Sequence, residues 1–353
     1  MTSDAQAPVL VTRPQRRINP LTVLGLLLVA LLAFWLIENA IRTPSAFLHL
    51  FLVGITVGSV YALIALGYSL VYGILELINF AHGDVFMLGA MMTVTLVGTF
   101  GLGAEGTSNT KTLALIVPML LIAMAFCGIL NTTIEFIAYR PLRGAPRLAP
   151  LITAIGVSFI LQNVGLVWKG SAPVNIRSDI LPSGKIFTIG DASYSWKKLI
   201  VLIVTVPTLI LLVWLVQQTR QGKAMRAVAQ DKDAAAVMGI DVNRTISFTF
   251  LIAGCLAGAA GVLYTLFATS VQFDTGFRLG LFAFTAAVLG GIGNLPGAVL
   301  GALVIGMVEQ FNNGLDWHSP GGDWTSSIIF SILILILVFR PEGLLGERTP
   351  EGG

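Results

Sequence analysis

The sequence predicts an all-α protein, a polytopic bundle of about nine or ten transmembrane helical segments, one of them short or re-entrant. Three observations lead there. Of 353 residues, 55% are hydrophobic and only 11% charged, whereas an ordinary soluble domain carries about 25% charged residues. Mean hydropathy is +0.85. Apolar stretches recur along the chain, separated by short polar links, and one helical span takes roughly 20 such residues. The composition excludes a soluble globular protein, and also disorder, which needs low hydrophobicity and high net charge. A net charge of +3 is too slight a bias to suggest nucleic acid.

Ten apolar segments can be drawn in order. They are Leu21–Ile37, Phe47–Leu75, Val85–Phe100, Thr112–Ala138, Leu148–Trp168, Leu199–Val216, Ile246–Thr269, Leu279–Leu289, Gly297–Phe311 and Trp324–Phe339. Residues 1–20 before them form a polar tail, and Arg13, Arg16 and Arg17 make the first apolar stretch read as a retained signal anchor. Residues 21–46 supply an extra N-terminal span with its outer loop, 47–346 the main transmembrane domain, and 347–353 a C-terminal tail. The eighth segment is too short to cross about 30 Å of hydrocarbon as a straight helix. It stops at Gly290-Gly291-Ile292-Gly293-Asn294-Leu295-Pro296. Irregular backbone at membrane depth survives only where protein or a wet cavity satisfies it, so this break reads either as a discontinuous element on a transport path or as an ordinary tight turn. The motifs Gly54-x-x-x-Gly58, Gly254-x-x-x-Gly258 and Gly297-x-x-x-Gly301 permit close helix crossing.

The ten-span reading puts thirteen of the 21 basic residues on the side of the N-terminus and eight on the other. The excess of Lys and Arg on cytoplasmic loops then predicts a multi-pass protein of the inner cell membrane with both termini in the cytoplasm.

Catalytic signatures are missing. Gly101-Leu102-Gly103-Ala104-Glu105-Gly106 fits G-x-G-x-x-G but lies in a short loop between spans, without a strand–turn–helix context. Three histidines and two cysteines (Cys127 and Cys255) show no metal-ligand spacing. No metal, cofactor or enzymatic activity is therefore expected. Ionisable groups in a membrane are expensive and mark pathways. Asn79, His82 and Asp84 stand in a short link that leaves little room to reach bulk water, beside Glu76; Glu135 and Glu309 sit near span ends, and for Glu135, close to Arg140, a place at headgroup level is expected. The chain is expected to pass substrate between this link and the break, with Asn79 and His82 giving transient hydrogen bonds, Asp84 serving as an N-terminal helix acid, and exposed backbone at Gly290, Gly291 and Gly293 next to Asn294.

The longest cytoplasmic loop, 217–245, carries good helix formers from Ala224 to Met238, with apolar positions at Met225, Val228, Ala235 and Met238 and a stop at Gly239. One short amphipathic helix is expected, suited to docking in a partner's groove. Here the chain resembles the permease subunits of ATP-binding-cassette importers. Their coupling loop reads Glu-Ala-Ala-x-x-x-Gly, matched by Asp233-Ala234-Ala235-x-x-x-Gly239 with Asp in place of Glu, although the Ile-x-Leu-Pro tail is missing.

Further strings sharpen the likeness to branched-chain amino acid permeases of the LivH type. They are Gly58-Ser59-Val60-Tyr61-Ala62-Leu63-Ile64-Ala65-Leu66-Gly67-Tyr68, Val71-Tyr72-Gly73-Ile74, Ile78-Asn79-Phe80-Ala81-His82-Gly83-Asp84, Tyr139-Arg140-Pro141-Leu142-Arg143, Thr153-Ala154-Ile155-Gly156 and the run Ala283–Ala298. The likeness covers about Phe47 to Gly346. Two departures are Asp84, where family members usually have Glu, and the extension Met1–Ala46.

The resemblance implies a subunit without ATPase activity of its own. Its implied partners are ATP-binding-cassette ATPase subunits docking on Asp233, Ala234, Ala235 and Gly239, a second permease of related type, a substrate-binding protein delivering leucine, isoleucine or valine, and the lipid bilayer. Two alternatives stay open. One is a self-sufficient channel or ion-coupled carrier using Glu76, His82, Asp84 and Glu309. The other is a permease of the same type for urea or short amides.

Overall fold

The computed structural model describes residues 20–102, 109–146, 148–182, 184–190, 192–340 and 342–346, and every statement here concerns those residues. The rest of the N-terminal tail (1–19), positions 103–106 of the glycine loop and the tail 347–353 lie outside them.

Twelve α-helices follow one another among the described residues: α1 (Pro20–Arg42), α2 (Pro44–Leu75), α3 (Ala81–Thr99), α4 (Asn109–Ile134), α5 (Leu148–Lys169), α6 (Trp196–Gln218), α7 (Arg220–Gln230), α8 (Lys232–Val237), α9 (Val242–Ala268), α10 (Thr275–Gly290), α11 (Leu295–Gly314) and α12 (Thr325–Phe339). Eight of them, α2–α6, α9, α11 and α12, are long and apolar enough to cross a membrane. With the apolar α1 and the 16-residue α10, each of the ten expected segments falls on a helix. Beside the helices there are only two small antiparallel pairings: strands β1 (Val174–Asn175) with β4 (Ser270–Val271), and the hairpin β2 (Lys185–Ile189) with β3 (Ala192–Ser195).

The core forms where side chains are small. α2 begins with Pro at its first position, which suits a helix start because proline lacks the N–H that would be unpaired there. It runs buried from Val57 to Val71 and packs against α9, α10 and α11. Each expected small-residue motif sits at a crossing. A Cβ on Gly58 would stand 2.8 Å from the Ala302 carbonyl oxygen of α11, one on Gly258 2.4 Å from that of Ala123 in α4, and one on Gly301 2.0 Å from that of Ala286 in α10. Backbones that close exclude any side chain, and in lipid such van der Waals packing drives helix association.

Two expectations are corrected. The single helix over Ala224–Met238 is two, α7 and α8, because Asp231 is extended (φ −158°) and its carboxylate accepts from the N–H groups of Asp233 and Ala234, both at 2.9 Å. That cap starts a new helix where composition alone continues the old one. The third span also begins earlier than expected, at Ala81 instead of Val85, so His82 and Asp84 belong to the first turn of α3 and only Asn79 to the link.

Candidate functional site

The link between α2 and α3 is short and tied down at both ends. Glu76 closes α2 in the left-handed region (φ 57°), its N–H donating to the Tyr72 carbonyl at 2.7 Å. Asn79 is buried, and its side-chain oxygen accepts from the Tyr139 hydroxyl at 2.7 Å. On α3, Asp84 is fully buried and accepts from the Ser158 hydroxyl of α5 at 2.5 Å; Gln162 donates to the same Ser158 oxygen at 3.2 Å. The acid in the first turn thus clamps α3 to α5 while facing the positive end of its own helix. His82 is fully buried against α2: a Cβ on Gly67 would reach within 2.1 Å of its Nε2, and the Tyr68 ring meets it edge-on at 4.9 Å.

The glycine break is a tight turn between two antiparallel helices. α10 ends at Gly290, Gly291 takes φ +105°, a conformation open to glycine, and Asn294 starts α11 by accepting from the Gly297 N–H at 2.9 Å. The segment 342–346 lies over it. Leu344 and Leu345 donate their N–H groups to the Leu289 and Gly290 carbonyls at 2.8 and 3.0 Å, and the Asn294 amide donates to the Leu345 carbonyl at 2.7 Å. Protein therefore satisfies the irregular backbone. Gly290 and Gly291 are buried and only Gly293 of the three glycines is exposed, so the expected row of open backbone groups shrinks to one position.

These two regions do approach each other. Asn79 and Ile78 of the link, Tyr68 and Tyr72 of α2, Ala287 of α10 and Ile292 of the turn line one narrow crevice. Gly293 and Asn294 face a larger cavity of ≈ 430 Å³ beside Ser69, Gly73, Gln217 and Arg226. His82 and Asp84 line neither.

Sequence reasoning missed a polar cluster at the same end. Below α4 the chain makes a π-helical turn, Glu135–Tyr139. Glu135 is fully buried inside the protein. It pairs with Arg143, accepts from the Ser247 hydroxyl of α9 at 2.6 Å, and Arg143 also donates to Asn243. A hint lay in Pro141, which ends the helix and lets Arg143 turn back. Glu309 likewise has a partner on another helix, the Tyr61 hydroxyl at 2.6 Å.

The loop after α6 is an anchored elbow. α7 is strongly amphipathic, with Gly222, Met225 and Val228 buried. Thr219 caps it by accepting from the Gly222 N–H at 3.0 Å, and Arg226 donates to the Val216 carbonyl. α8 is held by buried Ala235 and ends in a Schellman turn: Gly239 (φ +83°) donates to Ala236, and Ile240 to Ala235, both at 3.0 Å. Asp241 then caps α9, accepting from the Arg244 N–H at 3.0 Å. Asp233, Ala234 and Gly239 are exposed, and so are Val237 (88%) and Met238 (82%). The turn at Asp231 is why Met238 leaves the apolar face that Met225, Val228 and Ala235 share.

The family model described as branched-chain amino acid transport system / permease component matches residues 50–338. The high-affinity branched-chain amino acid transport system permease protein BraD of Pseudomonas aeruginosa is 40% identical over 311 residues, covering 84% of this chain and 95% of that protein. LivH of Escherichia coli K12, a permease protein of the same kind of system, is 37% identical over 303 residues with the same coverage. LsrD of Salmonella paratyphi B, an autoinducer 2 import system permease protein, is 26% identical over 246 residues, 68% of this chain and 70% of its own length. A multi-pass helical bundle whose sequence matches over more than four-fifths of its length belongs to the family of branched-chain amino acid transport system permeases.

Proposed function

We propose that this chain is the transmembrane permease subunit of an ATP-driven importer of leucine, isoleucine and valine in the inner membrane. ATP is hydrolysed on separate ATP-binding-cassette subunits, a second permease of related type completes the pore, and a binding protein delivers the substrate. BraD and LivH, permeases of branched-chain amino acid systems, support the substrate class. The N-terminus and the α7–α8 elbow face the cytoplasm, in keeping with the thirteen basic residues on that side.

The observation that carries this reading is the elbow. Two large apolar side chains, Val237 and Met238, stand exposed next to Asp233, Ala234 and Gly239 on a segment fixed by three capped helix starts. Apolar groups displayed on a rigid polar loop suit a partner's groove better than water. The substrate path runs along the crevice between Asn79 and the Gly293–Asn294 turn. His82 and Asp84 hold α3 behind it, the close-packed Gly290 keeps α10 against α11, and Gly291 packs on the segment 342–346.

Gly239→Val in the reconstituted complex tests the docking role. A non-glycine residue at φ +83° costs roughly 1–2 kcal/mol, and a β-branched one more. The elbow should misalign while the bundle still assembles, so ATP hydrolysis continues and uptake falls at least about tenfold; unchanged coupled uptake would remove the elbow from the mechanism. The path is tested in the same vesicles with Ala287→Cys, Cys127 and Cys255 being replaced by alanine. A water-soluble thiol reagent should label it in one step of the ATP cycle, and protection in every step would reduce the crevice to a packing defect.

A further inference from the structure

At the end of the bundle that carries the elbow, α4 with its π-helical turn and α9 line an open surface groove of ≈ 530 Å³. Its walls are apolar: Ile129 and Phe136 on one side, Phe248 and Leu251 on the other. Arg244 and Leu251 both line it, seven residues apart on α9, so the groove runs about 10 Å along the helix from a charged mouth into apolar surface. The π-helical turn shapes the opposite wall by pushing Phe136 and Ile137 outward, 60% and 68% exposed.

The mouth is cationic. Arg244 is exposed, and the Arg140 guanidinium lies over the Phe136 ring at 5.2 Å from its centroid. Among the described residues neither arginine is in an ion pair. Glu135, the one carboxylate in the lining, is already bound by Arg143 and Ser247 and does not offset them. An apolar trough with one guanidinium in its lining and a second over its Phe136 wall, neither in an ion pair among the described residues, matches one chemistry, a hydrocarbon chain ending in a negative charge.

We propose that this groove is a binding site for an anionic phospholipid, with an acyl chain along Ile129, Phe248 and Leu251 and the phosphate between Arg140 and Arg244. A zwitterionic lipid would fill the trough equally well but gain less from the mouth, because each arginine near an anionic headgroup contributes about 1 kcal/mol, roughly fivefold in affinity. The proposal rests on groove shape and charge alone and stands whichever substrate is carried. A bound lipid would touch α9 three residues past Asp241, which caps that helix directly after the elbow.

Native mass spectrometry of the delipidated permease complex, titrated separately with dioleoyl phosphatidylglycerol and dioleoyl phosphatidylcholine, tests it. The first phosphatidylglycerol should bind more tightly than the first phosphatidylcholine. Arg244→Gln should cut that preference about fivefold without changing phosphatidylcholine binding. Arg340→Gln, an exposed arginine at the end of α12, should leave it intact, and Leu251→Trp, which fills the trough, should weaken the first site for both lipids. Equal binding of the two lipids, a preference untouched by Arg244→Gln, or no tight lipid at all because a second subunit covers the groove would each overturn the assignment.

Discussion

α2 and α12 are almost equally apolar, with mean hydropathies of 2.2 and 2.0 over their best windows, yet 78% of the first window is buried inside the protein and only 11% of the second. Hydropathy therefore says that a segment can live in a membrane and nothing about where in the bundle it lies. What separates the two is side-chain size and polarity. α2 carries Gly54, Gly58, Gly67 and Gly73, with Ser59, Ser69, Tyr61 and Tyr68, whereas α12 reads Ile-Leu-Ile-Leu-Ile-Leu-Val-Phe toward its end. Lipid tails are as apolar as leucine, so a leucine-rich helix gains nothing by moving inward. Small residues gain dispersion contacts with neighbouring backbones, and polar ones find partners only inside.

The sharpest way to break this comparison is to give an inner and an outer glycine the same large side chain. At Gly301 a Cβ would stand 2.0 Å from the Ala286 carbonyl oxygen and 2.9 Å from the Gly290 nitrogen, both backbone atoms that cannot swing aside. At Gly156, exposed on α5, a Cβ meets nothing within 4 Å. Gly301→Leu should cost more than about 3 kcal/mol and abolish a monodisperse peak in detergent, because overpacking against backbone exceeds the range seen when side chains can yield. Gly156→Leu should elute and melt like the parent. Two equal melting curves would show that glycine in α11 is not there for close approach.

The same contrast explains how much the sequence discloses. Spans are legible because apolar length is local, and the crossing motifs because Gly-x-x-x-Gly lies on one helix face. The stop at Gly239 is legible too, since only a residue tolerant of positive φ ends a helix that way. Partners across helices are not. Nothing near Glu135 in the chain announces Ser247 on α9, nor does Asp84 announce Ser158 on α5. The segment 342–346 reads as the unremarkable end of the transmembrane domain, yet its N–H groups close the glycine turn. Asp231 was legible in principle: a helix-capping residue type inside a run of helix formers can start a new helix, and here tertiary packing of Ala235 and Val228 lets it do so.

Two ion pairs, one buried and one in water, carry the comparison down to its smallest effect. Glu135–Arg143 joins a fully buried carboxylate to a guanidinium with 20% of its side chain exposed, while Arg177–Asp179 in the loop after α5 leaves 45% and 57% exposed. Arg143→Ala strands the Glu135 charge with Ser247 as its remaining partner. Breaking a buried pair costs about 3–5 kcal/mol, and the partial exposure of Arg143 places the expected loss near the bottom of that range. Asp179 behaves differently. The Arg177 guanidinium beside it, donating through Nε and Nη2 at 2.9 and 2.7 Å, holds its carboxyl below the usual carboxylate range. A carboxyl lowered by folding adds stability that is present above its unfolded pKa of about 3.9 and is lost as pH falls through the lowered value. Here the partners are two residues apart and in water, so the pair forms in the unfolded chain as well and the lowering largely cancels. Asp179→Asn should therefore leave the melting temperature in detergent unchanged at pH 7, and its curve against pH should stay superimposed on the parent's down through pH 4. Arg143→Ala should melt well below both across the same range. A pH-dependent gap for Asp179→Asn as wide as that of Arg143→Ala would mean that exposure does not grade these charges, and that the loop after α5 is packed against something the isolated chain lacks.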